Sequence, residues 1–512
     1  MSFSWTTQGL ALGGVLAALQ VLLFLAALVV VPRDRRPSSA LAWILLVLVL
    51  PLAGVLLFAV IGSPKLPRAR RAKQRSMDAR ISRRVLAASG GDPRRLLTSP
   101  RTLTGTGSGD APPEAPPWLA SIARLNQRLG AMPLLDGNSA QLMSHIDEQL
   151  AALEQAVRGA RRYVHVEFYI LALDATTAPF FAALEDAVLR GVDVKVLLDH
   201  LGTRPYPGYR ATVAELDRIG VQWHLMLPVQ PLRGRYQRPD LRNHRKLVVI
   251  DGDVAFVGSL NVIDPGYGKR ANRRRGLVWR DLLARVEGPV VHEIDALFVT
   301  DWFSETDELL PTSQEDSPAP PAGAGDRSRT LLCQVLPSGP GFETENNLVL
   351  FNSLIYNAER RLSITSPYFV PDESLLIAIT TAARRGVQVE LFVGEVGDHL
   401  VVFHAQHSYY RALLEAGVRI YLYPGPSILH AKHLSVDELV TVVGSSNMDI
   451  RSFDLDLEVT LMTCGRDLAD QMRAVEDEYR AASRELTLEE WSRQSFAHGV
   501  VDGLARLTSA VQ

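Results

Sequence analysis

Twelve histidines and six lysines are spread over 512 residues, yet His244-Arg245-Lys246 and His430-Ala431-Lys432 set one of each two positions apart, twice. Composition alone would produce roughly 0.14 such pairs. The neighbours repeat as well. Asp251 matches Asp437, Gly258-Ser259 matches Gly444-Ser445 and Asn261 matches Asn447, each pair 186 residues apart. An imidazole can attack an electrophile or carry a proton, and a nearby ammonium group stabilises negative charge that develops in a reaction. Two such sets at one constant spacing read as the halves of a duplicated catalytic site. A lone histidine is more often a packing residue; the matched partners reverse that balance here.

Matching halves need matching frameworks. In the first, helical periodicity over Met143 to Arg158, Ala178 to Arg190 and Ala211 to Ile219 alternates with apolar strand patterns at Tyr163 to Ile170, Val194 to Asp199 and Val221 to Leu227. A hairpin-like pair, Lys246 to Ile250 and Val254 to Gly258, follows and carries the first motif. The second half repeats the order with helices at Asn347 to Arg360, Leu375 to Arg385 and Tyr409 to Ala416, and strands at Leu362 to Val370, Val387 to Val393 and Val418 to Tyr423. Short phrases recur, such as Arg190-Gly191-Val192 and Arg385-Gly386-Val387. This rhythm predicts an α/β class with two duplicated lobes, at 118–304 and 330–512, joined by a Pro-, Ala- and Gly-rich acidic connector at 305–329. Amphipathic patterns from Leu468 to Arg484 and Leu488 to Leu507 predict C-terminal helices.

The chain's beginning is of another kind. Residues Gln8 to Val31 and Ala40 to Ile61 carry no charge, and the expectation is a transmembrane two-helix hairpin over 1–62, its second helix kinked at Pro51. Three arginines lie in the loop, whereas Lys65, Arg68, Arg70, Arg71, Lys73 and Arg75 follow the second run. That asymmetry predicts a multi-pass membrane protein with its large C-terminal part in the cytoplasm. A basic, then Gly/Pro/Ser-rich segment at 63–117 reads as a juxtamembrane linker. Cys333 and Cys464 are far apart without CxxC spacing, which excludes a disulfide framework or a cysteine zinc site. The basic stretch Lys269 to Arg275 has no interleaved aromatics, so nucleic acid is not an expected partner.

The double His-x-Lys-(x)4-Asp signature, each copy followed by Gly-Ser and Asn, resembles the phospholipase D superfamily. The resemblance implies two phospholipase D-like α/β lobes related by a pseudo-twofold axis, with His244 and His430 facing each other. It assigns Lys246, Ser259 and Asn261, with Lys432, Ser445 and Asn447, to a cradle for the substrate phosphate, and implies no metal and no cofactor. Family practice makes His244 the nucleophile and His430 the acid and base. It also places a ring-orienting carboxylate downstream of each motif: Glu458 fits in the second half, while the first half has Asn272 at the same spacing, so Asp281, displaced by the basic insertion 268–276, is the counterpart. Asp251 and Asp437 belong to the catalytic signature, yet each ends a strand entering a turn, where a structural role competes.

Further phrases, His165-Val166-Glu167-Phe168-Tyr169-Ile170, Trp279-Arg280-Asp281, Ser366-Pro367-Tyr368-Phe369-Val370-Pro371-Asp372 and Asn447-Met448-Asp449-Ile450-Arg451-Ser452-Phe453, are similar to those of bacterial cardiolipin synthases. That similarity implies transfer of a phosphatidyl group from one phosphatidylglycerol to another through a phosphohistidine, releasing glycerol. Glu167 and Tyr368 are candidate site-lining residues. The alternative is hydrolysis, by a membrane-bound phospholipase D or a nuclease. A scaffold without activity would be expected to have lost part of one motif, and both are complete.

Overall fold

The computed structural model describes residues 3–33, 37–62, 65–77, 115–130, 132–310, 331–342 and 345–507. Most of the expected linker 63–117 and of the connector 305–329 lies outside these residues. Two units result, one of residues 1–65 with 238–240, the other of 66–237 with 241–512.

The first unit holds the helices Phe3–Val30, Pro37–Val49 and Pro51–Ile61. Ala27, Val31, Ala40 and Val47 form its small core, and Trp43 meets Phe58 edge to face at 5.4 Å. Gly54 permits the contact between the last two helices, since a Cβ there would lie 2.8 Å from the Val47 Cα. The transmembrane hairpin expected from the sequence is not borne out: among the described residues no helix is long and apolar enough to cross a membrane. Pro51 supplies a reason in the second run. Lacking an N–H, it divides that run into helices of 13 and 11 residues, where a span needs about 20.

The second unit is built on one 16-stranded sheet. From a central seam, one wing runs through Leu135–Met143, Leu283–Glu287, Val254–Gly258, Lys246–Ile250, Tyr163–Phe168, Asp193–Asp199 and Gln222–Met226. The other runs through Leu331–Ser338, Asp456–Cys464, Val440–Gly444, His433–Val436, Arg361–Thr365, Gln388–Gly394 and Arg419–Tyr423, then ends on Arg484–Leu486. Position by position the wings correspond, and they join where Leu135–Met143 pairs antiparallel with Leu331–Ser338. In the first wing Tyr163–Phe168, Asp193–Asp199 and Gln222–Met226 are parallel and linked through helices, as are Arg361–Thr365, Gln388–Gly394 and Arg419–Tyr423 in the second, as the α/β rhythm predicts; Arg484–Leu486 adds an antiparallel edge. The inner strands are antiparallel hairpins.

Helices cover both faces, so the central strands bury both sides and read as unbroken apolar runs. Leu247, Val248 and Val249 are at most 1% exposed, and burying each stabilises the fold by roughly 1.5–3 kcal/mol. Four strands at the seam, Leu135–Met143, Leu283–Glu287, Leu331–Ser338 and Asp456–Cys464, escaped the sequence reading, as did the hairpin His433–Val436 and Val440–Gly444. Leu135–Met143 has a glycine and four polar residues among its nine, Asp456–Cys464 opens on two acids in three residues, and Leu331–Ser338 contains Gln334 and Pro337. The helix Val290–Thr306 was also missed, and the expected Leu488–Leu507 helix divides into Leu488–Ser492 and Phe496–Leu507. Two of the basic residues expected beside the membrane have acidic partners within this unit: Arg70 pairs with Glu305 and Lys73 with Asp307, both at 2.6 Å.

Candidate active site

His244 and His430 stand just ahead of the strands Lys246–Ile250 and His433–Val436. The segment before each crosses to the other lobe. Arg242–Asn243 pairs parallel with Asp456 and Leu457, and Ser427–Leu429 pairs parallel with Val278–Arg280. The His244 amide donates to the Leu457 carbonyl and the His430 amide to the Arg280 carbonyl, each at 2.8 Å. One residue further on each receiving strand is a carboxylate. Nδ1 of His244 therefore meets Glu458 at 2.9 and 3.1 Å, and Nδ1 of His430 meets Asp281 at 2.6 Å. Each ring is backed by the acid of the opposite half.

Asp281 holds this place despite the insertion, because Leu283 pairs with Gly258 in register. Asn272, at the naive spacing, lies in the short helix Arg270–Arg274 and donates to the Gly266 carbonyl. The Gly-Ser pairs explain themselves in the same geometry. A Cβ on Gly258 would collide with the Leu282 carbonyl oxygen, and one on Gly444 with that of Val459. The next residue, a serine, turns its hydroxyl to the acid: Ser259 donates to Asp281 at 2.7 Å and Ser445 donates to Glu458. Both serines are fully buried and accept an amide hydrogen bond, from Leu282 and Val459. Each serine thus steadies the carboxylate of its own half.

Burial works to raise Asp281 and Glu458, but the facing histidine, lysine and serine outweigh it, so both carboxyls lie below the ordinary range. Burial lowers His430, and it brings His244 down to about 4 against the pull of Glu458. The site thus pairs neutral rings with anionic carboxylates. The ring proton then sits on Nδ1, and the Nε2 lone pair is left for chemistry. Burial also brings Lys246 to about 7 and Lys432 to about 8.

The halves differ at Nε2. Lys432 Nζ lies 3.1 Å from His430 Nε2 and 2.8 Å from the His430 carbonyl. Lys246 Nζ bonds the His244 carbonyl at 2.7 Å and sits over the Tyr169 ring, and among the described residues Nε2 of His244 carries no hydrogen bond. Tyr169 also meets His244 edge to face at 4.9 Å. Asn261 donates to the Tyr267 hydroxyl at 2.9 Å and accepts from the Ile170 amide, whereas Asn447 Oδ1 is buried without a partner among the described residues.

Asp251 and Asp437 require correction as catalytic residues. They lie at the far ends of the strands that begin beside the two histidines, with φ of +56° and +51°. Asp251 accepts from the amides of Arg161, Arg162 and Tyr163 at 2.8, 2.7 and 2.9 Å. Asp437 accepts from Glu359, Arg360 and Arg361 at 3.3, 2.8 and 2.9 Å. Each fixes the turn that opens a neighbouring strand. Glu167 is not in the cleft either: fully buried, it accepts from Asn243 at 2.9 Å. Tyr368 is half-buried and donates to Asp398 at 3.0 Å. Sequence reasoning passed over Tyr267, which has no motif, and Arg245, the variable residue of His-x-Lys. Arg245 donates to the Glu458 carbonyl at 3.1 Å and pairs with Asp301 of the missed helix.

Duplicated sheet wings, each delivering a His-x-Lys to a carboxylate of the other, define a phospholipase D-like protein with one shared site. The comparisons narrow this class. The sequence matches the family described as "Cardiolipin synthase, PLD-like domain" over residues 153–302 and 351–478, and "Phospholipase_D-nuclease N-terminal" over 21–63. It is 33% identical over 479 residues to cardiolipin synthase A of Serratia proteamaculans, covering 92% of each chain. With cardiolipin synthase A of Yersinia pestis it shares 31% over 478 residues, again 92% of each. The chain belongs to the bacterial cardiolipin synthase family. The crystal structure of phosphatidylserine synthase from Haemophilus influenzae superposes with a TM-score of 0.57 over 77% of this chain and 99% of that one, at 15% identity, which is a likeness of fold.

Proposed function

We propose that this enzyme makes cardiolipin by transferring a phosphatidyl group from one phosphatidylglycerol to another, with His244 as nucleophile. The asymmetry at Nε2 carries the choice of histidine: His244 presents an unencumbered lone pair, whereas His430 already faces a proton donor in Lys432. In the first step His244 Nε2 attacks phosphorus and the P–O bond to the headgroup glycerol breaks. His430, protonated in the presence of the anionic substrate, gives its Nε2 proton to the departing oxygen. In the second step neutral His430 takes the proton from a hydroxyl of the next phosphatidylglycerol, that oxygen attacks phosphorus, and the P–N bond breaks. Lys246 and Lys432 stabilise the charge on the phosphoryl oxygens. Asp281 and Glu458 fix the ring tautomers and favour the cationic rings as they form. No step calls for a metal.

The reading extends to location. The first unit exposes Val15, Leu22, Leu25, Val29, Leu41, Leu45, Leu52 and Leu56, an apolar surface of the kind that lipid covers. We assign these helices to the membrane that holds both substrates, with the catalytic unit on the cytoplasmic side as the basic residues after Ile61 indicate.

The test is to incubate purified enzyme with phosphatidylglycerol in mixed micelles and resolve the products. Cardiolipin and free glycerol in equal amounts are expected; phosphatidic acid without cardiolipin would mean that water is the acceptor. Rapid quenching followed by peptide mapping should find the acid-labile phosphoryl adduct on His244, and an adduct on His430 would exchange the two roles.

A further inference from the structure

A second histidine cluster lies outside the crossed histidine–carboxylate pairs. His404 and His407 lie one turn apart on the helix Leu400–Ala416, and Asp502 reaches them from the helix Phe496–Leu507. One potential ligand atom from each of the three lies within 4.8 Å of the other two. Asp502 is 3% exposed, and its carboxylate is 2.8 Å from His404 Nδ1. The His407 ring is wedged against Phe403, with centroids 4.1 Å apart, and meets Trp491 edge to face at 5.5 Å. Aromatic walls of this kind restrict a ligand ring to few orientations.

We propose that His404, His407 and Asp502 bind one divalent transition-metal ion, of which zinc is the best match, and that the ion clamps the C-terminal helix to the helix Leu400–Ala416. Two imidazoles and a carboxylate are a borderline-soft donor set, which suits zinc better than magnesium or calcium. Bonds of about 2.0–2.2 Å place tetrahedral ligands somewhat over 3 Å apart, so a small shift of the two partly buried rings closes the site. Water or His498 completes the coordination. His498 is one turn before Asp502, and its ring centre is 6.5 Å from that of His404. The clamp has mechanical meaning. The helix Phe496–Leu507 leaves Val500, Val501, Leu504 and Leu507 exposed, so metal ligation adds a bond to a helix with one face free of the rest of the unit.

The experiment uses the full-length enzyme in detergent, stripped with chelator and dialysed. Isothermal titration with zinc chloride is expected to show one tight equivalent, and cobalt(II) the visible absorption of a tetrahedral nitrogen/oxygen site. Zinc should raise the melting midpoint and protect the C-terminal helix from limited proteolysis. His407→Gln and Asp502→Asn, checked for native circular dichroism, should each weaken binding by more than about tenfold. Absence of a stoichiometric zinc site in the wild-type protein would overturn the proposal. So would a site that survives the His407→Gln, Asp502→Asn double variant, because the metal would then be held elsewhere.

Discussion

At the scale of single residues, the serines of the two Gly-Ser pairs separate two ways of reading a conserved-looking motif. A hydroxyl that binds the phosphoryl oxygens directly would cost about 10²–10³ in rate when removed. One that steadies a carboxylate costs about one hydrogen bond to a charged group, ~1.5–3 kcal/mol, shared between stability and ring orientation. Because Ser445 donates to Glu458 and Ser259 to Asp281, Ser445→Ala and Ser259→Ala are expected to lower kcat by about tenfold. Steady-state kinetics on mixed micelles decides: a thousandfold loss would return the serines to the phosphate. The lysines set a second expectation. Burial brings Lys246 to about 7 and Lys432 to about 8. Above these values the amines are neutral and bind an anion poorly, so kcat/KM should fall as pH rises through 7 to 8. Lys246→Arg keeps its charge at any such pH. Its profile should retain only the limb near 8 that belongs to Lys432, and an unchanged limb at 7 would assign that titration to another group.

At the scale of elements, the strand hairpins determine where the acids stand. Gly258 is a glycine because the strand Leu283–Glu287 passes against it, and that strand begins two residues after Asp281. Gly258→Ala should force the pair apart, lower stability by ~1–3 kcal/mol and loosen Asp281 from His430. Asp251→Ala should differ in kind. It strands three amides and so costs ~1–3 kcal/mol of stability, but kcat per folded molecule should stay at the wild-type value. Denaturant titration beside active-site-normalised rates separates the two; a kcat collapse in Asp251→Ala would restore it to the catalytic set. The first hairpin and the outer parallel strands were legible from apolar runs such as Lys246 to Ile250, whereas its counterpart His433–Val436 and Val440–Gly444 was not. The seam was not, since Leu135–Met143 and Asp456–Cys464 take their strand form from neighbours in the sheet more than from their own pattern. The same limit hid the crossing: motif spacing names His244 and Glu458, but only the parallel pairing of Arg242–Asn243 with Asp456 and Leu457 brings them together. Pro51 was read as a kink and proved to be a break.

At the scale of the molecule, the catalytic unit and the N-terminal helices answer different physical demands. Residues 66–237 and 241–512 contain the whole sheet and both histidine–carboxylate pairs, and among the described residues the apolar cores beneath that sheet draw on none before Leu66. Chemistry and most of the stability should therefore survive removal of residues 1–62. What should not survive is access to substrate. Both phosphatidylglycerols lie in a bilayer, and an enzyme confined there meets them at an effective concentration that a free one cannot match. Mixed micelles narrow that advantage, because short-lived collisions with small aggregates supply substrate to either form. The truncated enzyme is accordingly expected to melt near the full-length value and to keep most of its rate on mixed micelles. On phosphatidylglycerol vesicles its rate should fall by more than about tenfold. Equal losses on micelles and vesicles would mean that the helices support the fold of the catalytic unit, and equal rates on both would leave them no part in delivering lipid.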